Sequence, residues 1–181
     1  MTLTRFRTDN FLSGLCNYVD DSHKNATLVA ASDGINLMNN QTITDSFVMH
    51  AGLSSRTKMP VAHFVLAFSP HDAPRINNAM LGQLASEYLQ KMGYDDNQFV
   101  AFRHYDKEHQ HVHIVVNRVN FKGKCTSDSH EKIKNIRICK DLTKSPGLYM
   151  ATGKDSVEER RLRSMDAIRY HMMHCVRELS L

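Results

Sequence analysis

The sequence contains no tryptophan and only four cysteines in 181 residues. Cys16, Cys125, Cys139 and Cys175 lie far apart and form no CxxC pair, which argues against a zinc knuckle and against a disulfide framework. No apolar run approaches the roughly 20 residues of a membrane span. The first residues, MTLTRFRTDNFLSGL, lack the apolar core and cleavage site of a signal peptide. We therefore expect a cytoplasmic protein without membrane insertion.

The composition is that of a folded chain with a modest positive charge. Hydrophobic residues make up 41% of the sequence, enough for a sizeable core, and the length suits one domain of ordinary size. The formal net charge is +4. Lysine and arginine exceed acids by four within residues 122–144, so the whole formal excess is concentrated there. A local basic excess favours a polyanionic partner.

The most informative stretch is FVAFRHYDKEHQHVHIVVNRV, residues 99–119. His111 and His113 are two residues apart in a β-branched run, so they would share one face of a strand. A tight connection after His104 would fold the two halves into a hairpin and bring that side chain beside the pair. Three converging imidazoles make a metal site with open coordination positions. Solvated or merely hydrogen-bonded histidines are the alternative interpretation.

Hydrophobic periodicity predicts the other elements. Residues 27–31 read as a short strand, and residues 61–68, VAHFVLAF, as a central strand covered on both faces. Helices are expected over residues 9–20, from Thr44 to Ala51 with Thr44 as the cap, and over residues 75–92 up to Gly93. Within the central strand, His63 is either a core histidine or a neighbour of the hairpin site.

The positive charge is predicted to lie on a loop and a helix. The loop 52–60 carries Arg56 and Lys58, and a basic amphipathic helix is expected from about Ser129. Its apolar side would contain Ile133, Ile136, Cys139 (or Lys140) and Leu142 or Thr143. A basic helix beside a metal site suits a nucleic-acid backbone, whereas a solvated surface helix is the alternative. The candidate DNA-binding residues are Arg56, Lys58, Lys132, Lys134, Arg137 and Lys140.

The residues alone leave the nucleophile of such a site open. A divalent ion there would polarise a phosphate and neutralise charge in an in-line displacement. Attack by water would make a plain hydrolase, and attack by a tyrosine would make a covalent phosphotyrosine. The six candidate hydroxyls belong to Tyr18, Tyr88, Tyr94, Tyr105, Tyr149 and Tyr170.

Four separated blocks resemble conjugative relaxases, the plasmid-mobilisation nucleases of the HUH endonuclease superfamily. HYDKEHQHVHIVVNRV resembles their HxDxx(H)xHxHIVVNR motif, with Gln110 where proline is common. FLSGLCNYVDDSHK looks like their N-terminal tyrosine motif. DSFVMHAGLSSRTKMPVAHFVLAFSPHDAP and RICKDLTKSPGLYMATGK look like blocks of Bacteroides-type mobilisation proteins. The likeness spans roughly residues 5–155 and follows the order of the family.

The resemblance implies a fold and a set of roles. The family fold is α+β, a central antiparallel sheet flanked by helices, related to rolling-circle initiators and to a permuted palm domain. It implies a catalytic domain over residues 1–155. Residues 156–181 have a helical apolar pattern and would form an extension that packs on this domain or leads out of it. Tyr18 would be the nucleophile, Asp106 an acidic residue that orients a histidine or reaches the metal through water. The implied ligands of Mg²⁺ or Mn²⁺ are His104, His111 and His113, with His63, His109 and Asn117 around them.

The implied activity is nicking of one DNA strand at an origin of transfer. Tyr18 would hold the 5′ phosphate covalently and leave a free 3′ hydroxyl, and reverse attack would rejoin the strand. The partners would be single-stranded origin-of-transfer DNA, relaxosome accessory proteins and a coupling protein. A rolling-circle replication initiator is the enzymatic alternative, and a DNA-binding module with structural histidines is the non-catalytic one. Nick site, physiological metal and oligomeric state are not encoded in any motif.

Overall fold

The computed structural model describes residues 2–6, 26–105, 109–144 and 147–149. These residues form a five-stranded sheet with three helices. The strands are β1 (Thr2–Phe6), β2 (Thr27–Ala31), β3 (Val61–Ala67), β4 (Asn97–His104) and β5 (His111–Asn120). The helices are α1 (Asn40–Ala51), α2 (Asn78–Met92) and α3 (Glu131–Lys144). A 3-10 turn, Pro70–Asp72, follows β3.

The sheet has the order β1-β3-β5-β4-β2, and each neighbouring pair is antiparallel. β3 and β4 consequently run parallel, joined through α2, with β5 inserted between them as in a split β-α-β unit. Nine of the ten β5 residues are buried, because the strand has a partner on each side and layers above and below. The predicted α+β class, with a central antiparallel sheet flanked by helices, is confirmed.

The two faces of the sheet pack against different helices. Val112, Ile114 and Val116 of β5 belong to a large core shared with α2 and α3. The opposite face contributes Val115 of β5 to a smaller core, where Phe47 of α1 packs. Because side chains alternate along a strand, His111 and His113 lie on the α1 face. The prediction that the β-branched residues line a core behind the histidines is therefore confirmed.

Most predicted elements occur near their expected positions. The short strand, the central strand and the helix ended by Gly93 are all present, and Gly93 has the left-handed φ of 91° expected of a C-terminal cap. The expected start at Thr44 was wrong. α1 begins at Asn40, since Asn39 caps it and forms a reciprocal capping box with Thr42.

The apolar side of α3 also differs from the prediction. Ile133 and Ile136 are more than half exposed, so these two positions were wrong. Leu142 is buried and Cys139 packs against the core as expected, whereas the buried Ile138 was not predicted. The buried stripe begins at Glu131, whose carboxylate accepts a hydrogen bond from Tyr94. The buried side of α3 thus includes an acid, which apolar periodicity alone does not select.

Two further predictions concern parts of the chain that the structure does not describe. The helix over residues 9–20 and the extension over residues 156–181 both lie outside the described residues. β1 was not predicted at all, because its five residues carry only a weak alternation at the start of the chain. Within the described ranges, no helix is both long enough and apolar enough to cross a bilayer.

Candidate metal centre

The histidine cluster is built by the register of β4 and β5. His104 at the end of β4 pairs directly with His111 at the start of β5, and Phe102 pairs with His113. Two residues along a strand return to the same face, so His113 follows His111 on the α1 side of the sheet. The predicted hairpin is confirmed.

Three imidazoles converge at this point. One ring nitrogen from each of His104, His111 and His113 lies within 4.8 Å of the others. The three residues are 1%, 3% and 6% exposed. The His104 and His113 rings stack at a centroid distance of 4.1 Å. The three rings are therefore held close to one another and away from solvent.

The cluster fits a divalent cation. Three nitrogens bound to one ion at about 2.1 Å each, at tetrahedral or octahedral angles, are about 3.0–3.4 Å apart, so closing on the ion from at most 4.8 Å requires a contraction of less than about 2 Å. All three donors are neutral imidazoles, which leaves further coordination positions to oxygen ligands of a substrate. His104, His111 and His113 are therefore the residues that would hold the metal implied by the sequence motif.

The second ring nitrogen of two of these histidines has a defined neighbour. His111 Nδ1 lies 3.3 Å from the carbonyl oxygen of His109. His113 Nδ1 lies 2.8 Å from Nε2 of His63, which is 7% exposed and stands on β3. Both Nδ1 atoms are thus engaged, and Nε2 is the atom that each ring can offer to an ion. The sequence allowed His63 to be either a core histidine or a neighbour of the hairpin site. In the structure it is both, since it is buried and contacts His113.

The environment of His63 favours its neutral form. Burial, and secondarily the charge of the nearby His104, lower the pKa of His63 to about 4. Near neutral pH the ring is therefore uncharged and retains one nitrogen lone pair as a hydrogen-bond acceptor.

The side chain of Asn117 forms hydrogen bonds with backbone groups and not with the histidine rings. Its Nδ2 donates to the carbonyl of Phe47 in α1, and its Oδ1 accepts from the backbone N–H of Val119. It also lies four residues beyond His113, about 13 Å along the strand. His109, by contrast, contacts the site, since its ring centroid lies 5.7 Å from that of His111.

The proposed catalytic residues Tyr18 and Asp106 lie outside the described residues. The described tyrosines are nevertheless informative. Tyr88 and Tyr94 are buried in the core on the other face of the sheet, where burial raises the pKa of both phenols well above its usual value. The hydroxyl of Tyr105 donates to Asn78 at the start of α2. Tyr88 and Tyr94 therefore suit structural roles, not attack on a phosphate at the cluster.

The basic helix does not stand beside the histidines. α3 packs with α2 over the face formed by Val112, Ile114 and Val116, opposite the cluster. The expectation that it borders the metal site was therefore wrong. The error arose because a sequence does not state which side of a sheet a helix covers.

The basic side chains of α3 differ in their contacts and in their exposure to solvent. Lys134 donates from Nζ to the carbonyl of Met92 and so caps the end of α2. Arg137 and Lys140 are exposed, and the side chain of Lys132 lies outside the description. DNA binding by these residues stays a prediction, and it would require DNA to reach the face opposite the cluster.

Arg56 and Lys58 belong to a basic cleft that the sequence did not reveal. The cleft has a volume of about 620 Å³ and is also lined by Lys124, Arg118 and the acid Asp128. Arg118 is almost fully buried, and its guanidinium pairs with Asp128 at 3.0 Å. Lys124 and Arg118 were not predicted as part of this cleft, because they lie in and after β5, far in sequence from the loop 52–60.

The chain is thus an α+β domain with three converging histidines on an antiparallel sheet, an arrangement found in metal-site proteins. Comparison with known families identifies the kind of domain more closely. A family model described as "Relaxase: MobA/VirD2-like, nuclease domain" matches residues 18–148. The chain belongs to this family of relaxase nuclease domains. The family implies an endonuclease acting on DNA. No curated protein and no solved structure matches the chain significantly.

Proposed function

We propose that this chain is a metal-dependent relaxase that nicks one DNA strand at an origin of transfer through a covalent tyrosine intermediate. The observation that carries the proposal is the convergence of His104, His111 and His113 within 4.8 Å, inside a chain of the relaxase nuclease family. Three neutral ligands leave a bound divalent ion with its full charge and with positions open to phosphate oxygens.

The ion would act as a Lewis acid that polarises the scissile phosphate and offsets charge developing in the displacement. The protein's own contribution is positional. The strand pairing of β4 and β5 places His104 opposite His111 and keeps His113 on the same face of the sheet. Asp106, which lies in the hairpin connection by sequence, is proposed to orient a histidine or to meet the ion through water.

Tyr18 is the proposed nucleophile. Its phenolic oxygen would form a bond to phosphorus while the bond from phosphorus to the 3′ oxygen breaks. The phenol loses a proton to a base, and the departing 3′ oxygen takes one up, so a free 3′ hydroxyl and a 5′ phosphotyrosine result. The family match begins at Tyr18 and ends before Tyr149 and Tyr170, which supports this choice. Attack by the 3′ hydroxyl in the reverse direction would rejoin the strand.

The substrate is proposed to be single-stranded DNA, held partly by the basic cleft. Arg56, Lys58 and Lys124 line this cleft, so phosphate contacts there would add a salt-dependent, sequence-independent term to binding. Relaxosome accessory proteins and a coupling protein are the further partners proposed for such an activity, in a cytoplasmic setting.

The test is covalent capture on DNA. We would incubate the protein and Mn²⁺ with labelled single-stranded oligonucleotides that tile the element encoding it, and map the adduct by mass spectrometry. The proposal expects one cleaved sequence and a tyrosine adduct at Tyr18. Tyr18→Phe should abolish the adduct, whereas the matched variant Tyr149→Phe should retain it. Full adduct formation by Tyr18→Phe would refute the Tyr18 assignment.

Two other functions give different results in the same assay. A replication initiator of the same superfamily would nick at a replication origin and support plasmid replication in cells. A non-catalytic module would bind DNA without cleaving it, so neither the wild type nor His111→Ala would nick the oligonucleotide. Loss of both bound Mn²⁺ and nicking in His111→Ala, with DNA binding retained, would exclude the module.

A further inference from the structure

The α1 face of the sheet carries a fourth histidine next to the three proposed ligands. His63 pairs in register with Val115, while the neighbouring Val65 pairs with His113. His63 and His113 are therefore diagonal neighbours on one face of β3 and β5. Their Nε2 and Nδ1 atoms lie 2.8 Å apart, and both rings are almost fully buried.

This contact matters because an imidazole can bind an ion only through an unprotonated nitrogen. A ring that binds through Nε2 carries its proton on Nδ1, and a neutral ring in that state needs an acceptor opposite Nδ1. For His111 the neighbour of Nδ1 is a backbone carbonyl, which no substitution removes. For His113 it is the side chain of His63.

We propose that His63 is a positioning residue that fixes the tautomer and ring orientation of His113 for metal binding. His63 Nε2 accepts a hydrogen bond from the Nδ1–H of His113, which leaves the Nε2 lone pair of His113 directed to the ion. Hydrogen-bond partners of ligating histidines commonly act in this way. The inference rests on the proposed metal site but assigns to His63 a task that neither the family match nor the cluster of three ligands assigns.

The partner of His113 is an imidazole and not a carboxylate, and this difference affects the charge near the ion. Partners of ligating histidines are often carboxylates, which bring negative charge close to the ion. An imidazole acceptor fixes the tautomer without adding that charge. An ion held by three neutral rings, one of which has a neutral imidazole as its hydrogen-bond partner, therefore keeps its full attraction for a phosphate oxygen.

The test measures metal binding in the absence of DNA, so it does not depend on nicking. We would titrate Zn²⁺ and Mn²⁺ into the metal-free protein by calorimetry and compare His63→Leu with His63→Gln. The two variants have similar volume, but only glutamine offers an acceptor oxygen. His63→Leu should bind about 10- to 100-fold more weakly than the wild type, and His63→Gln should recover most of that loss. His50→Ala, which changes a histidine on α1, should bind normally.

A second measurement reads the tautomer directly in the unmodified chain. Long-range ¹H–¹⁵N spectra of the metal-free wild type should show His113 protonated on Nδ1 and bare on Nε2. The opposite tautomer would overturn the proposal even if His63→Leu fails to fold. Equal metal affinity in His63→Leu and the wild type would overturn it too, while leaving the metal site intact. Absence of metal binding by the wild type would instead refute the metal part of the proposed function.

Discussion

His104 and His111 lie directly opposite each other in the pairing of β4 and β5, with ring centroids 5.3 Å apart. Two ligands of the candidate centre are therefore positioned by backbone hydrogen bonds and not by flexible loops. His113 joins them through the two-residue period of the strand. A site built on paired strands is held with little freedom, which favours a defined coordination geometry.

The first prediction concerns which metal binds. Imidazole ligands suit Zn²⁺ and other transition ions, whereas Mg²⁺ prefers oxygen ligands and gives up its water reluctantly. Calorimetry on the metal-free protein should therefore give the order Zn²⁺ tighter than Mn²⁺ and Mn²⁺ tighter than Mg²⁺. His104→Ala should weaken all three. His71→Ala, at an exposed histidine outside the cluster, is the matched control. Equal binding of Mg²⁺ and Zn²⁺ would contradict a site made only of imidazoles.

The second prediction separates a structural from a metal-related role of Asn117. Its amide is fully buried and bonds Phe47 and Val119. Asn117→Ala leaves those backbone groups without their partner, so the free energy of unfolding should fall by about 2–3 kcal/mol. Urea denaturation would measure the loss, with exposed Gln90→Ala as the control. Metal affinity of the folded variant should stay normal, and a large drop in affinity would instead support the role near the metal that the motif implied.

The third prediction tests which side of α3 is buried. Ile138 is 6% exposed and packs in the larger core, whereas Ile136 is 58% exposed. Ile138→Ala should lower the free energy of unfolding by about 2–5 kcal/mol. The same substitution at Ile136 should change it by no more than about 0.5 kcal/mol. Similar losses for both variants in urea denaturation would mean that the helix presents the other face.

The fourth prediction concerns a close contact between α2 and β2. A Cβ built on Gly82 would collide with the carbonyl oxygen of Val29, which lies at the irregular register of β2 with β4. Alanine is a better helix former than glycine by about 1 kcal/mol. Gly82→Ala should nonetheless destabilise the domain by about 1–3 kcal/mol, because the helix must move off the sheet. Thermal unfolding would measure this, with exposed Gln83→Ala as the control. A rise in melting temperature for Gly82→Ala would count against the contact.

The local elements of this domain were largely predictable. VAHFVLAF has the apolar, β-branched character of a covered strand, and the period of two placed His111 and His113 on one face. The helix before Gly93 shows its apolar stripe and its C-terminal cap in the sequence. The start of α1 was less predictable, because both Asn39 and Thr44 are acceptable caps, and the reciprocal hydrogen bonds between Asn39 and Thr42 select the earlier one.

The sequence by itself determined the hairpin and its three converging histidines, because these depend on residues close together in the chain. It also determined the likeness to relaxases, because that depends on residue identities and their order and not on tertiary contacts. Tertiary structure decided what depends on contacts between distant segments. It placed α3 on the face opposite the histidines, brought Lys124 and Arg118 to the loop that carries Arg56, and set His63 against His113 across two strands. Such contacts are fixed by strand order and register, which arise from the packing of the whole sheet and leave no local pattern in any one segment.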